Sequence, residues 1–251
     1  MLLDVLDHST FPEEVSAKIE QHRELFADWS RPGPEGPHRF SAREHDAAYG
    51  ELCEALRAHS IRGWHCTRLT EDEISRVATL GLKPLNVVFL QERIDSAASA
   101  GLIPAGIAER LRTTHQANES NRAGRIWFCL HLPREAGEDG LRRLLGTWGG
   151  EALYNSHEED AEVLSILRSL GKPCVVEADL PIPSLNSAWR VATALVRSDL
   201  IMRGVPTDLP HGPEDFATQC IEPPGLRRVV ELAHADFEAL VGCGSWTSPL
   251  R

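Results

Sequence analysis

Between positions 31 and 37 the chain reads Arg-Pro-Gly-Pro-Glu-Gly-Pro, and that run constrains everything around it. Each proline fixes φ and removes a backbone donor, and the intervening glycines favour turns, so neither a helix nor a central strand can pass through. The sequence therefore divides into residues 1–40, a helical arm with its Pro/Gly-rich linker, and residues 41–251, which are numerous enough to close one hydrophobic core.

Periodicity and end signals fill in the rest. Residues 11–29 read as a helix, with Thr10 to cap it, Pro12 in its first turn and Glu13 and Glu14 at its positive end. Ser41 with Glu44, and Thr70 with Glu73, each form the Ser/Thr-x-x-Glu pattern of a capping box, and Gly81 closes the second of these helices. Further helices are expected over 87–99, 104–117, 138–146, 157–170, 184–196 and 226–240. Strands are expected over 61–67, 125–132 and 173–181, with short ones near 198–203 and 217–222, and 118–124 reads as a polar loop. Helices and strands in no regular alternation make an α+β fold.

Composition excludes several classes of function. A net charge of −11 leaves little scope for a broad nucleic-acid surface, because each phosphate contact needs a cation, and the Arg142-Arg143 pair is too small to suggest duplex binding. Of the 26 basic residues only Lys18, Lys83 and Lys172 are not Arg, a bias that points to a GC-rich bacterial genome. The 6 cysteines form no CxxC pair, Met1-Leu2-Leu3-Asp4 does not begin like a signal peptide, and no apolar run reaches a membrane-spanning length. The expected setting is the reducing cytoplasm, with free thiols and no membrane.

The segment richest in chemistry is Gly63-Trp64-His65-Cys66-Thr67-Arg68, followed by Glu73-Ile74 and Gly81-Leu82. With Gly124-Arg125-Ile126-Trp127-Phe128-Cys129, and more weakly Val175-Val176-Glu177-Ala178-Asp179-Leu180, it resembles the His-type branch of the ADP-ribosyltransferase fold, which includes the poly(ADP-ribose) polymerases. The matches cover about a quarter of the chain. The resemblance implies a split antiparallel sheet with several surrounding helices, and NAD as substrate with no metal. It implies that His65 donates to a ribose hydroxyl of NAD, that the Cys66 backbone pairs with the nicotinamide amide, that Thr67 supports that turn and that Trp127 packs near the nicotinamide ring. Arg68, within the motif, and Tyr154 complete the expected cofactor-binding set. The implied chemistry is cleavage of the nicotinamide–ribose bond, with a carboxylate stabilising the cationic sugar, and transfer of ADP-ribose to an unknown acceptor.

The sequence departs from the family at Cys66, where a Gly is usual, at Trp127 in place of Tyr, and at Gln219, which stands where the catalytic Glu is expected. Glu222 or Glu151 could supply the missing carboxylate. Plainer readings stand beside these. His65 could be a structural strand-end histidine, Trp127 a core filler, Glu222 a solvated turn residue, and Gly149-Gly150 only a turn, although Trp148, Glu151 and Tyr154 together offer an aromatic wall and a carboxylate. Glu177, on a buried-looking strand, needs either an edge position or an Arg partner. A zinc cluster of His59, His65, Cys66, Cys129 and His131 has no specific spacing, and Cys66 and His65 point to opposite strand faces, so they form no nucleophile–base pair. The acidic run Glu158-Glu159-Asp160 reads as the solvated start of a helix. Two other function classes remain open: a non-catalytic sensor of ADP-ribose or another nucleotide, and a protein–protein interaction module using the acidic surface and the arm, which could also form a homo-oligomer.

Overall fold

A computed structural model describes residues 1–33, 36–209 and 213–250; Pro34 and Glu35 of the linker lie outside the described residues. In chain order the principal elements are β1 (Leu2–Leu3), α1 (Glu13–Gln21), α2 (Arg23–Trp29), α3 (Ala42–Leu56), β2 (Ser60–Leu69), α4 (Glu71–Leu80), α5 (Val87–Ser99), α6 (Ala105–Thr113) and β3 (Ile126–Cys129). They continue with α7 (Gly137–Gly146), α8 (Glu151–His157), α9 (Ala161–Ser169), β4 (Lys172–Pro181), α10 (Ala188–Met202), β5 (Glu214–Ala217), β6 (Leu226–Glu231) and α11 (Phe237–Val241). The architecture is mixed helix and strand around a six-stranded sheet, ordered β5-β3-β2-β4-β6 with β1 on β2. The β1–β2 pairing is parallel and the β4–β6 pairing antiparallel. No described helix is long and apolar enough to cross a membrane.

Local signals hold where they are self-contained. Both capping boxes form: the Ser41 and Thr70 side chains accept from the backbones of Glu44 and Glu73, whose carboxylates accept in return from the cap backbones. Asp160 caps α9 by accepting from Val163 N at 3.1 Å, as the acidic run suggests.

Several boundaries differ from expectation. The helix over 11–29 divides at His22, whose ring meets Phe26 edge-on and whose Nε2 reaches Glu51. The helix expected over 104–117 stops at Thr113, the strand over 125–132 ends at Cys129, and the region 148–170 holds two helices after the Gly149-Gly150 turn. Residues 198–202 are helical, as the end of α10, and Arg203 caps it, with its Nε reaching back one turn to Asp199 at 2.9 Å. The strand expected near 217–222 is displaced to 214–217. The largest correction lies at 226–240, where a strand, β6, replaces the first part of the expected helix and only its end, from Phe237 on, is helical as α11. Val229 and Val230 favour a pleated surface, and pairing with β4 overrides the helical periodicity.

By contact density the chain forms two compact units. The first comprises 1–63, 129–131 and 179–215. In it α3 packs against α1 and α10, burying Ile19, Leu52, Leu56 and Leu195, so the N-terminal residues are part of a packed helical layer. The second comprises 64–128, 132–178 and 216–251, and its core gathers Leu90, Ile94, Leu111, Trp148, Leu153 and Leu167. Two glycines of this unit are required by close approach. At Gly81 (φ +81°) a Cβ would lie 2.0 Å from Ile221 O, where residues 82 and 221 exchange backbone hydrogen bonds. At Gly171 (φ +70°) a Cβ would lie 2.5 Å from Leu69 O, so the turn into β4 rests directly on the end of β2.

Candidate functional site

Successive residues of a strand face opposite sides, and in β2 the two faces around Trp64 and His65 have different chemistry. Trp64, 1% exposed, donates from Nε1 to Glu177 Oε1 at 3.3 Å. Glu177 stands opposite Arg228 in the β4–β6 register and accepts from its Nε and Nη2 at 2.9 and 3.0 Å. Arg228 in turn pairs with Asp236. The buried carboxylate thus has the Arg partner its position demands.

His65 is half-buried. Its Nδ1 lies 2.8 Å from Trp127 O. A carbonyl can only accept, so Nδ1 carries the proton. Burial holds the imidazole below its ordinary pKa; the bond to Trp127 opposes this and the charge of Arg93 adds to it. The ring is therefore neutral near neutral pH, with a lone pair on Nε2 that meets no hydrogen-bond donor among the described residues. This assigns His65 as an acceptor, whereas the family resemblance casts it as a donor.

The link between His65 and Trp127 runs through the backbone. The imidazole lies 5.9 Å from the Phe128 ring, whereas the Trp127 indole faces the other side of β3 and lies 4.9 Å from Phe216. Trp127 Nε1 donates to Asn121 O at 3.1 Å, and the Arg125 guanidinium lies 4.1 Å over Phe216. The two rings expected to wall one slot are thus on different sides of the strand.

Arg93, whose charge acts on His65, belongs to a polar cluster from α4 and α5. Glu73 Oε2 accepts from Thr70 N and from Trp148 Nε1, both at 2.8 Å, while Oε1 accepts from Arg93 Nε at 2.6 Å. Burial pushes the Glu73 carboxyl up, but the Arg93 charge and these bonds outweigh it and hold the group below the usual carboxylate range. The Arg93 guanidinium also lies 4.7 Å over the Trp148 ring. Among the described residues the buried Arg93 Nη2 has no hydrogen-bond partner.

The other expected residues are distributed as follows. Cys66 is buried and Thr67 half-buried. Arg68, 3% exposed, donates from Nε to Leu170 O at 2.7 Å and from Nη1 to Leu145 O at 3.3 Å, and burial lowers its pKa. It ties β2 to the chain around it and presents little surface to a ligand. Trp148 is fully buried in the core and so forms no wall with Tyr154, whose ring lies 5.3 Å beneath the Arg143 guanidinium. Glu151, at the start of α8, accepts from Arg122 Nη2 at 3.3 Å. Gln219 and Glu222 are exposed, flanking the Ile221 bridge to Leu82. Leu85, three residues on, pairs through its backbone with Gly124 and Arg125 at the entry to β3.

Among the described residues no group of three His, Cys, Asp or Glu side chains is placed to hold a metal ion. A cavity of about 680 Å³ lies elsewhere in the same unit, lined by Arg110, His157, Glu158, Glu159 and Asp160 among others. Its one arginine is already paired with Asp160 and Glu162. We place more weight on the His65 surroundings, where polar atoms remain without partners, than on that charged and self-paired hollow. Sequence reasoning missed Arg93 altogether: nothing near position 93 marks it, and only its long-range partners Glu73 and Trp148 give it meaning. The chain matches no family model, no curated protein and no solved structure.

Proposed function

We propose that this chain is an ADP-ribosyltransferase-like protein that binds NAD at β2 and β3, cleaves the nicotinamide–ribose bond and passes ADP-ribose to an acceptor. The observation that carries the reading is the His65 imidazole: Nδ1–H is committed to Trp127 O, which leaves Nε2 as an acceptor for a ribose hydroxyl. That arrangement joins two segments whose motifs resemble the family's. In the reaction the bond electrons leave with nicotinamide, which becomes neutral, while the sugar takes up positive charge that a nearby carboxylate stabilises. Of the three residues considered for that task, Glu151 has an oriented carboxylate, fixed by Arg122, whereas Gln219 carries no charge and Glu222 is exposed in a turn.

Calorimetric titration of the full chain with NAD tests the reading. Wild type is expected to bind, and His65→Ala to lose at least roughly tenfold in affinity, as for removal of a buried hydrogen-bond partner. No binding by wild type, or unchanged binding by His65→Ala, rejects it. Release of free nicotinamide, abolished in Glu151→Gln, would establish the cleavage step. The neutral Gln219 favours a second reading, a nucleotide sensor of the same type; binding without nicotinamide release would select it.

A further inference from the structure

We infer that Arg93 is the phosphate-binding residue of this site, taking the pyrophosphate of an ADP-ribose-containing nucleotide on its free Nη2 edge while His65 holds a ribose hydroxyl. The inference rests on the nucleotide reading above and extends it to a residue that the sequence motifs do not include.

Three observations support it. The first is that the guanidinium is held in place from two directions, by Glu73 Oε1 at Nε and by the face of Trp148. Glu73 has no capacity left to satisfy more of it, because its other oxygen already accepts from Thr70 N and Trp148 Nε1. The second is that Nη2 is buried and has no acceptor among the described residues. A buried donor in that state is destabilising, and its persistence calls for an acceptor from outside the chain. The third, added to this geometry, is that the Arg93 charge disfavours protonation of His65, so Nε2 stays an acceptor while Nη2 is a donor. An ADP-ribose-containing nucleotide offers the matching pair, since its hydroxyls can donate and its phosphate oxygens can only accept. The planar guanidinium fork is suited to phosphate geometry.

The neighbouring cations do not compete for this role. Arg68 is bound to the carbonyls of Leu145 and Leu170. Arg122 also has a buried nitrogen without a partner among the described residues, but it is the inner Nε, and both terminal nitrogens that could reach a phosphate are paired with Glu119 and Glu151. Arg125 lies over Phe216, on the Trp127 side of β3.

The test compares two probes on the full chain: ADP-ribose, and benzamide as a nicotinamide-ring mimic without phosphate. Arg93→Lys keeps a positive charge beside Glu73 but loses the second edge of the fork. It is expected to weaken ADP-ribose binding by roughly tenfold or more while changing benzamide binding less than about twofold. A merely structural role would move both probes together. Wild-type protein labelled with ¹⁵N-arginine gives a readout that needs no variant: the Arg93 side-chain signals should shift with ADP-ribose and not with benzamide. Unchanged ADP-ribose affinity in Arg93→Lys, or no such shift in wild type, overturns the assignment. If His65→Ala loses ADP-ribose but Arg93→Lys does not, Arg93 alone is wrong. If wild type binds neither probe, the nucleotide reading fails and the Arg93 assignment with it.

Discussion

Trp64 and His65 are neighbours on one strand, yet their surroundings follow opposite rules. On the Trp64 face a buried carboxylate, Glu177, meets an indole N–H and two guanidinium N–H groups, and Arg228 passes the charge on to Asp236. Around His65, one imidazole nitrogen is bound to a carbonyl, and Arg93, whose charge acts on that imidazole, has a buried guanidinium nitrogen with no partner among the described residues. Saturated polar clusters rigidify a fold, whereas unsatisfied ones mark places where the fold is incomplete by itself. The contrast separates a structural tie from a candidate site more sharply than residue type does, since both faces combine an aromatic ring, an acid and an arginine.

The comparison can be broken at its strongest point first. Glu177→Ala should leave the Trp64 N–H and Arg228 without their shared acceptor and lower stability by about 3 kcal/mol in urea unfolding, with nucleotide affinity retained. A loss well below 1 kcal/mol would mean that the tie is dispensable. A smaller effect sharpens the other face. The folded-state pKa of His65 lies below the ordinary value of 6.5, so below that pH the unfolded chain takes up a proton that the folded chain resists. Stability should be at its full value above pH 6.5 and fall as the pH drops below it. His65→Gln should flatten that slope, leaving the part contributed by His8, whose pKa burial also lowers. Parallel slopes in wild type and variant would contradict the neutral, committed imidazole. The smallest effect is expected at Glu222, exposed and outside both clusters: Glu222→Ala should change stability by no more than about 0.5 kcal/mol and leave nicotinamide release intact. Loss of release would transfer the catalytic assignment from Glu151 to Glu222.

How much of this was legible in the sequence depended on how local each determinant was. The Ser41/Glu44 and Thr70/Glu73 boxes complete themselves within four residues, and both form as read. That Glu177 needs either an edge position or an arginine partner was also legible, because a buried carboxylate without a partner is costly. The identity of that arginine was not. Arg228 lies in a segment whose apolar spacing suggests a helix, and only the facing strand β4 makes it β6. The same limit applies to the site. His65 carried a motif, but the proton position on its ring depends on a carbonyl 62 residues away, and Arg93 depends on contacts with Glu73 and Trp148. The orientation of the Trp127 indole, away from the imidazole, follows from strand alternation once the Phe128 contact is known.

Glu73 has a wider consequence. One carboxylate both starts α4 and orients Arg93, so helix initiation and the proposed nucleotide recognition draw on a single codon. A glutamine there would preserve the reciprocal cap, for which either side chain serves, while removing the negative charge that aligns the cation. Variation at this position is therefore graded: Glu maintains both tasks, Gln only the architectural one, and an aliphatic residue neither. If the proposed nucleotide site holds, a lineage that abandoned it could drift to Gln with its scaffold intact, and position 73 would mark whether the site is still in use.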